Sequence, residues 1–132
     1  MEIIIKIKKD MELNNSIKNR KDGAIYSFGQ YARVFNEKST CWYGNLNLNN
    51  MFIKMSENHA NDLLRSRGHL FLNEVFDLLG MSHTKAGAIV GWVFNNNNPI
   101  GDNYVHIDVV RATDKYIILD FNVDGCILDC LD

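Results

Sequence analysis

The sequence predicts an α+β fold in which a helix-loop-helix unit packs on a small antiparallel sheet. Apolar residues recur at three- and four-residue spacing through the middle of the chain, which is typical of amphipathic helices. Apolar and polar residues alternate near both ends, which is typical of half-buried strands. The sheet is therefore expected to combine a C-terminal meander of three to four strands with one N-terminal strand. The length of 132 residues, with 46% apolar and 23% charged side chains, fits a single domain over residues 1–132.

The first part of the chain is predicted to contain the N-terminal strand and two loops. Isoleucine alternates with charged residues over residues 2–8, which predicts a strand. Residues 10–22 are mostly polar and are predicted to form a flexible loop. Residues 24–35 are rich in aromatic and β-forming side chains and indicate one or two strands interrupted near Gly29. A second loop is expected over residues 36–50, where asparagine is frequent.

Two helices are predicted in the middle of the chain. The first covers residues 51–67 and ends at Gly68, and the second covers residues 70–79 and ends at Gly80, because glycine is a frequent C-terminal cap. The apolar stripe of the first helix consists of Phe52, Met55, His59 and Leu63, widened by Ala60 and Leu64. Since His59 lies on this stripe, it is interpreted as a packed core histidine.

The segment after the second helix is predicted to turn, to form one strand and then to enter a loop. Ser82 or Thr84 is a candidate N-cap for a helical turn. The apolar run over residues 88–94 predicts a strand. Four asparagines and the single proline then indicate an exposed loop over residues 95–101.

The C-terminal end is predicted to be an antiparallel meander. Residues 104–110 alternate in polarity, and residues 116–121 form the next strand after a turn at 112–115. Asp-Gly within residues 122–125 supplies the positive φ that a tight turn needs, so a final hairpin is expected between residues 117–121 and 126–131.

The composition excludes several classes of function. A formal net charge of −2 provides no overall attraction to nucleic acid or anionic lipid, so any polyanion site has to be a local patch. The longest apolar runs fall far short of the roughly 20 residues that cross a bilayer, and no membrane span is expected. The three cysteines, Cys41, Cys126 and Cys130, lack paired CxxC spacing, which favours reduced thiols in a cytoplasm over a zinc site.

Two local patterns match only parts of known motifs. Asp120-x-Asn122-x-Asp124-Gly125 matches the first half of a calcium loop, but the twelfth position is Leu131 instead of a bidentate carboxylate. Turn chemistry therefore explains this segment better. The Ser82-x-x-Lys85 pattern of serine acyl-transferases lacks its companion motifs, and helix capping explains it better. We expect no metal, no cofactor and no catalytic activity.

A patch of basic and amide side chains at the junction of the two helices is the preferred candidate site. Guanidinium groups match phosphates and carboxylates bidentately, and a helix start offers free N–H groups. Trp92 or Tyr104 is expected to add an exposed aromatic ring for a partner or for a base. The residues predicted to bind a ligand or partner are Arg65, Arg67, His69, Asn73, His83, Lys85, Trp92 and Tyr104. The alternative is that the arginines are solvated or cap carbonyls, and that the aromatic residues line the core.

Several segments of the C-terminal half carry a resemblance to a known family. They are residues 58–81, Lys85-Ala-Gly, Val90-Gly-Trp-Val93 and residues 119–129, which begin Leu-Asp-Phe-Asn-Val-Asp-Gly. Over roughly residues 58–129 the chain resembles an uncharacterised family of phage and prophage proteins from Gram-positive bacteria. The resemblance implies a phage-encoded protein that acts in the cytoplasm of a bacterial host. It supplies no catalytic residue.

These observations together predict a non-enzymatic binding protein. The first hypothesis is inhibition of a host defence protein, such as a CRISPR effector. One alternative is a nucleotide sponge, in which the arginine and histidine patch sequesters a defence signalling molecule. Another is a structural or assembly component of the phage. Self-association is also expected to be possible through pairing of the strand at residues 3–8 with its copy.

Overall fold

The structure is a computed structural model that describes residues 29–131. Within this range it contains two helices and two antiparallel sheets of three strands each, which confirms the α+β fold. The strand predicted at residues 2–8, the loop predicted at residues 10–22 and the first part of the 24–35 stretch lie outside the described residues.

The two sheets are built from segments that are distant in the chain. The strands are β1 (Arg33–Asn36), β2 (His69–Phe71), β3 (Val90–Val93), β4 (Ile107–Ala112), β5 (Tyr116–Phe121) and β6 (Gly125–Cys126). The helices are α1 (Leu46–Arg67) and α2 (Leu72–Leu79), and single 3-10 turns lie at Ala86–Ala88 and Leu128–Cys130. The first sheet has the order β1-β5-β4 and the second β2-β3-β6. Both are antiparallel.

Helix α1 begins five residues earlier than predicted. Asn45 is its N-cap, and the Asn45 side chain accepts a hydrogen bond from the backbone N–H of Leu48 at 3.1 Å. The asparagines around it are typical of a loop, so the sequence alone predicts this first turn as part of the preceding loop. The predicted end is confirmed, because Gly68 has a φ of 83° and donates its N–H to the carbonyl of Leu64.

The core-facing side of α1 differs from the predicted apolar stripe. Met55 and His59 are exposed, so the interpretation of His59 as a core histidine is wrong. The buried residues of α1 are Asn49, Ile53, Ser56, Glu57, Ala60 and Leu64. Polar groups can occupy a buried face when their hydrogen bonds are made inside the protein, as Asn49 does with the backbone of Tyr43. The buried face is therefore rotated away from the most apolar stripe of the helix.

The second helix is shorter than predicted because its first residues belong to a strand. Leu70 and Phe71 pair with Trp92 and Gly91 of β3, so a long-range ladder replaces local helix periodicity there. Helix α2 then starts at Leu72, and the Glu74 carboxylate accepts the N–H of Phe71 at 2.8 Å. Its predicted end is confirmed, because Gly80 has a φ of 69°.

The predicted final hairpin is wrong. Strand β5 pairs with β1 and β4 only, whereas β6 joins the second sheet, where Val90 faces Cys126 and Gly91 faces Gly125. Residues 122–125 therefore carry the chain from one sheet to the other, and a 3-10 turn replaces the last predicted strand. The strand over 116–121 and the exposed loop over 95–101 are confirmed.

Strand β4 starts three residues later than predicted. The side-chain amide of Asn61 in α1 accepts the N–H of Val105 at 2.7 Å and donates to its carbonyl at 2.9 Å. Since both backbone groups of Val105 are used by α1, this residue cannot continue a sheet ladder. Val105 is nonetheless fully buried, and it helps to fix α1 against the start of β4.

Gly91 permits the close pairing of β2 with β3. A Cβ at this position would collide with the carbonyl oxygen of Leu70. The Gly91→Ala change is therefore expected to lower the free energy of unfolding by about 1–3 kcal/mol, the usual cost of forcing extra volume into a packed site. Urea unfolding followed by circular dichroism measures it. The Gly44→Ala change is the matched control, because a Cβ there meets nothing within 4 Å, and it should change stability by no more than about 0.5 kcal/mol. Equal effects at the two glycines would contradict the pairing.

Candidate functional site

Among the described residues, a group of exposed apolar side chains lies at the N-terminal half of α1. We call it the α1 apolar face, and it consists of Tyr43, Leu48, Met51, Phe52 and Met55. Met51 is 60% exposed and Met55 65% exposed, which is high for methionines that neighbour other apolar side chains. The helical members follow three- and four-residue spacing and so lie on one side of the helix. Two of its members, Phe52 and Met55, belong to the stripe that periodicity alone assigned to the core.

The α1 apolar face is anchored to the core through aromatic contacts. The ring of Phe52 stacks on the buried ring of Phe35 with centroids 6.1 Å apart, and the edge of Tyr43 meets Phe52 at 5.9 Å. Asn49 fixes the backbone of Tyr43 by accepting its N–H at 2.8 Å. The two aromatic members of the face are therefore held in place by the fold before any partner arrives, which limits the entropy that they lose on binding.

The rim of the α1 apolar face is polar and close to neutral. Exposed asparagines lie beside it at positions 47, 50 and 58. Lys54, which is next to Met55 in the chain, pairs with Glu57 at 2.9 Å. Apolar and methionine-rich centres with polar rims are the usual anatomy of protein interfaces.

The arginines predicted at the helix junction are paired with carboxylates. Arg65 contacts Asp62 at 2.7 Å, and Arg67 contacts Glu74 at 2.7 Å. The ring of His69 meets Phe71 edge-on at 5.7 Å. The positive charges of this patch are thus already compensated inside the chain, and the arrangement is that of helix-end ion pairs more than of an open anion site.

The other predicted site residues hold the segment after α2. Asn73 accepts the N–H of Thr84 at 3.0 Å and donates to its carbonyl at 3.0 Å. A 3-10 turn is present at residues 86–88, but its N-cap is Lys85 instead of the predicted Ser82 or Thr84. The Thr84 hydroxyl accepts the N–H of Gly87 in this turn at 2.9 Å. His83 contacts Asp77 at 2.6 Å, and Lys85 is exposed.

The two predicted aromatic site residues have different environments. Trp92 is fully buried, and its Nε1–H donates to Asn122 at 2.9 Å, so the expectation of an exposed ring is wrong at this position. Strand β3 is central in its sheet, and all of its residues are buried. Tyr104 is half-exposed and lies before β4.

A cleft of about 420 Å³ opens between the start of β1 and the segment after α2. We call it the Arg33 cleft, and its lining consists of Gln30, Tyr31, Ala32, Arg33, Leu72, Phe76, Thr84 and Ala86. The sequence pattern predicts Arg33 only as part of a strand, so Arg33 is absent from the predicted site residues. An arginine inside an otherwise aromatic and β-forming run was the available signal.

Arg33 is fixed in this cleft by three contacts. Its guanidinium donates to the carbonyl of Ser82 at 3.0 Å and to the Ser82 hydroxyl at 3.2 Å. The same group lies over the ring of Phe76, 4.7 Å from its centroid. Burial lowers the pKa of Arg33, because removal from water disfavours the charged form.

The oxygens of the partial calcium pattern are used by the fold. Asp120 accepts the N–H groups of Gly29 and Phe121, each at 2.8 Å. Asn122 accepts from Trp92, and Asp124 accepts the N–H of Val93 at 2.8 Å. Within residues 29–131 no cluster of three His, Cys, Asp or Glu side chains is arranged to hold a metal ion.

The surroundings of the Asp124 carboxyl group disfavour its charged form. Burial and the nearby carboxylate of Asp102 raise the pKa of Asp124, although the hydrogen bond from Val93 opposes the shift. A Cβ at Gly101 would collide with the Asp124 carboxylate, so glycine allows the 95–101 loop to approach. This carboxylate therefore fixes the loop against β3.

A buried carboxylate lies between α1 and the start of β4. Glu57 accepts the N–H of Ile107 at 2.8 Å and the Nδ1 of His106 lies 3.1 Å from it. Burial raises the pKa of Glu57, but the hydrogen bonds from Lys54 and Ile107 and the charges of Lys54 and His106 outweigh burial and lower it overall. His106 borders a hollow of about 170 Å³ whose lining contains no serine, threonine or cysteine to act as a nucleophile. The contacts of Glu57 therefore serve to hold the start of β4 against α1.

The comparison with protein families covers nearly the whole chain. The model of a family of unknown function, DUF6353, matches residues 2–131. The chain belongs to this family. The match is longer than the resemblance over residues 58–129 and includes α1 and the α1 apolar face. No curated protein and no solved structure matches the chain.

Two further properties of this DUF6353 chain concern its helices and its cysteine thiols. Over residues 29–131 none of the helices has the length and apolar character required to cross a membrane. Cys41, Cys126 and Cys130 carry free thiols. The thiols of the two C-terminal cysteines are exposed, so they are not protected by the core.

Proposed function

We propose that the protein is a non-enzymatic binding protein that engages a partner protein through the α1 apolar face. The observation that carries this proposal is the exposure of Met51 and Met55 on a helix whose opposite side already packs on the core. Contiguous exposed apolar side chains on a folded domain are typical of interaction sites. The mode of recognition is a helix face laid into a groove of the partner.

The chemistry of the α1 apolar face defines the kind of partner surface that fits it. Flexible methionines adapt to an irregular apolar groove, and Tyr43 supplies an aromatic anchor with a hydroxyl. The asparagine rim matches uncharged hydrogen-bonding groups better than a strongly charged surface. We therefore expect an apolar groove with a polar, weakly charged margin, and binding that changes little with salt concentration.

We further propose that the partner is a bacterial host defence protein, such as a CRISPR effector, and that binding inhibits it. The resemblance of residues 58–129 to phage and prophage proteins supports a phage origin. The free thiols of all three cysteines fit action in a reducing bacterial cytoplasm. A stoichiometric inhibitor needs an accessible binding face, and the α1 apolar face provides one.

The proposal is tested by affinity capture from phage-infected host lysate, followed by assays on the recovered partner. The Met51→Glu/Met55→Glu double variant is expected to weaken binding by about 30-fold or more, since two central contacts of an interface are replaced by charges. The Asn47→Glu/Asn50→Glu variant adds the same charge at the rim and is expected to change affinity by about threefold or less.

The activity of the captured protein separates inhibition from simple binding. Wild-type protein should block the partner's defence activity at a one-to-one ratio, and the double methionine variant should not. Capture of a capsid or tail protein would instead support the assembly role. Equal binding by the methionine and asparagine variants would remove the α1 apolar face from the mechanism.

The nucleotide-sponge alternative is not favoured at the predicted helix-junction patch. Arg65 and Arg67 are each paired with a carboxylate, and the buried ring of Trp92 cannot stack on a base. Self-association through residues 3–8 stays a prediction, because that segment lies outside the described residues.

A further inference from the structure

The Arg33 cleft has the size and lining of a small-molecule site. Its volume of about 420 Å³ lies within the roughly 300–1,000 Å³ that is usual for ligand pockets. Its apolar lining residues include Leu72 and Phe76, which are each 1% exposed, and the more accessible Tyr31 and Ala86. Among residues 29–131, Arg33 is the one charged residue that lines it.

The charge of Arg33 is not balanced within the described part of the chain. Arg65 and Arg67 have carboxylates within 2.7 Å, but over residues 29–131 no carboxylate forms an ion pair with Arg33. A guanidinium has five N–H donors, and Ser82 receives two of them. Three donors of a partly buried cation thus remain without a partner among these residues, and an oxyanion would satisfy them.

The surroundings of Arg33 are organised in advance. Its guanidinium group lies over the Phe76 ring and donates to the carbonyl of Ser82. The group is therefore already ordered before a ligand binds. Thr84 also lines the cleft, and Asn73 fixes the backbone of Thr84. The Thr84 hydroxyl accepts from Gly87, which leaves its hydrogen able to point toward the cleft.

We propose that the Arg33 cleft binds a small organic anion, whose carboxylate or phosphate group pairs with Arg33 and whose apolar body packs between Tyr31 and Ala86. This site is separate in its residues from the α1 apolar face. It also gives Asn73 a role, because this predicted site residue shapes the cleft wall through Thr84 instead of touching the anion.

Calorimetric titration with benzoate, phenyl phosphate and neutral benzamide tests the proposal on the full chain. At least one of the two anions is expected to bind with a dissociation constant of about 1 mM or lower, as suits ligands of this size. Benzamide should bind at least tenfold more weakly. Preference for benzoate would identify a carboxylate ligand, and preference for phenyl phosphate would identify a phosphate ligand.

Three variants locate the binding. Arg33→Gln should weaken binding of the preferred anion tenfold or more, whereas Arg111→Gln removes the same charge from another stacked arginine and should leave it unchanged. Ala86→Phe keeps Arg33 and fills the cleft from an exposed position, so it should also weaken binding tenfold, and it decides the question if Arg33→Gln does not fold. Absence of anion binding, equal binding of benzamide, or an equal loss in Arg111→Gln overturns the proposal.

Discussion

The Asn122→Ala change is expected to lower the free energy of unfolding by about 2–4 kcal/mol, because it removes four hydrogen bonds, one of them from the fully buried indole of Trp92. The Asn122 side chain accepts hydrogen bonds from Trp92 Nε1 at 2.9 Å and from the N–H of His106 at 2.7 Å. Its amide donates to Asp102 and to the carbonyl of Tyr104, each at 3.0 Å. One side chain thus connects β3 of the second sheet with the segment that enters β4 of the first.

Urea unfolding measures this loss, and Asn96→Ala is the matched control. Asn96 lies in the exposed loop after β3, so its replacement should change stability by no more than about 0.5 kcal/mol. The Trp92→Phe/Asn122→Ala double variant adds a second check. Trp92→Phe removes the indole donor of this hydrogen bond. The losses in unfolding free energy of the two single variants should therefore sum to more than the loss of the double variant. Simple additivity would contradict a direct bond between the two side chains.

The features that were predicted correctly depend on local chemistry. Gly68 and Gly80 end the two helices because a left-handed cap is a property of a few neighbouring residues. The strand over 116–121 carries enough apolar side chains to be recognised without knowledge of its partners. Such signals lie within one turn or one strand, and a single sequence contains them.

The features that were missed depend on contacts between distant parts of the chain. Residues 69–71 follow helix periodicity but form β2, since β3 offers them a ladder. Asp124-Gly125 has the composition of a hairpin turn, yet the Asp124 carboxylate binds Val93 of β3, and Gly125 faces Gly91 in the second sheet. Neither partner can be identified from the turn residues themselves.

For the candidate sites, too, the sequence predicts the local features but not the contacts between distant parts of the chain. Periodicity detected the apolar stripe of α1 but could not show that the core would take the neighbouring face, where Asn49 and Glu57 find internal hydrogen bonds. Residue type suggested arginine for anion binding, but it could not show which arginines the fold would pair with carboxylates. The arginines at the helix junction proved to be paired, whereas Arg33 is unpaired among the described residues because the fold places it beside Ser82 instead of a carboxylate.

Replacing Glu57 is expected to have an effect as large as that of Asn122. The Glu57→Ala change removes the acceptor of the Ile107 N–H at the first residue of β4, together with the contacts to Lys54 and His106. A loss of about 2–4 kcal/mol in the free energy of unfolding follows, because a buried N–H is left unsatisfied at the joint between α1 and the sheet. Glu37→Ala, at an exposed glutamate, is the control and should cost no more than about 0.5 kcal/mol.

The contribution of the Glu57 charge has a defined pH dependence, which Glu57→Gln isolates at nearly constant volume. Because the folded state lowers the pKa of Glu57, the unfolded chain binds more protons than the folded chain between the two pKa values. The stabilisation by the Glu57 charge is therefore complete above the ordinary carboxyl pKa. It is lost as the pH falls through the lowered pKa of Glu57 in the folded state. The difference in unfolding free energy between wild type and Glu57→Gln should be largest near pH 7 and should shrink on acidification. A difference that stays constant from pH 7 into the acid range would mean that Glu57 acts through shape and hydrogen bonding alone, without a contribution from its charge.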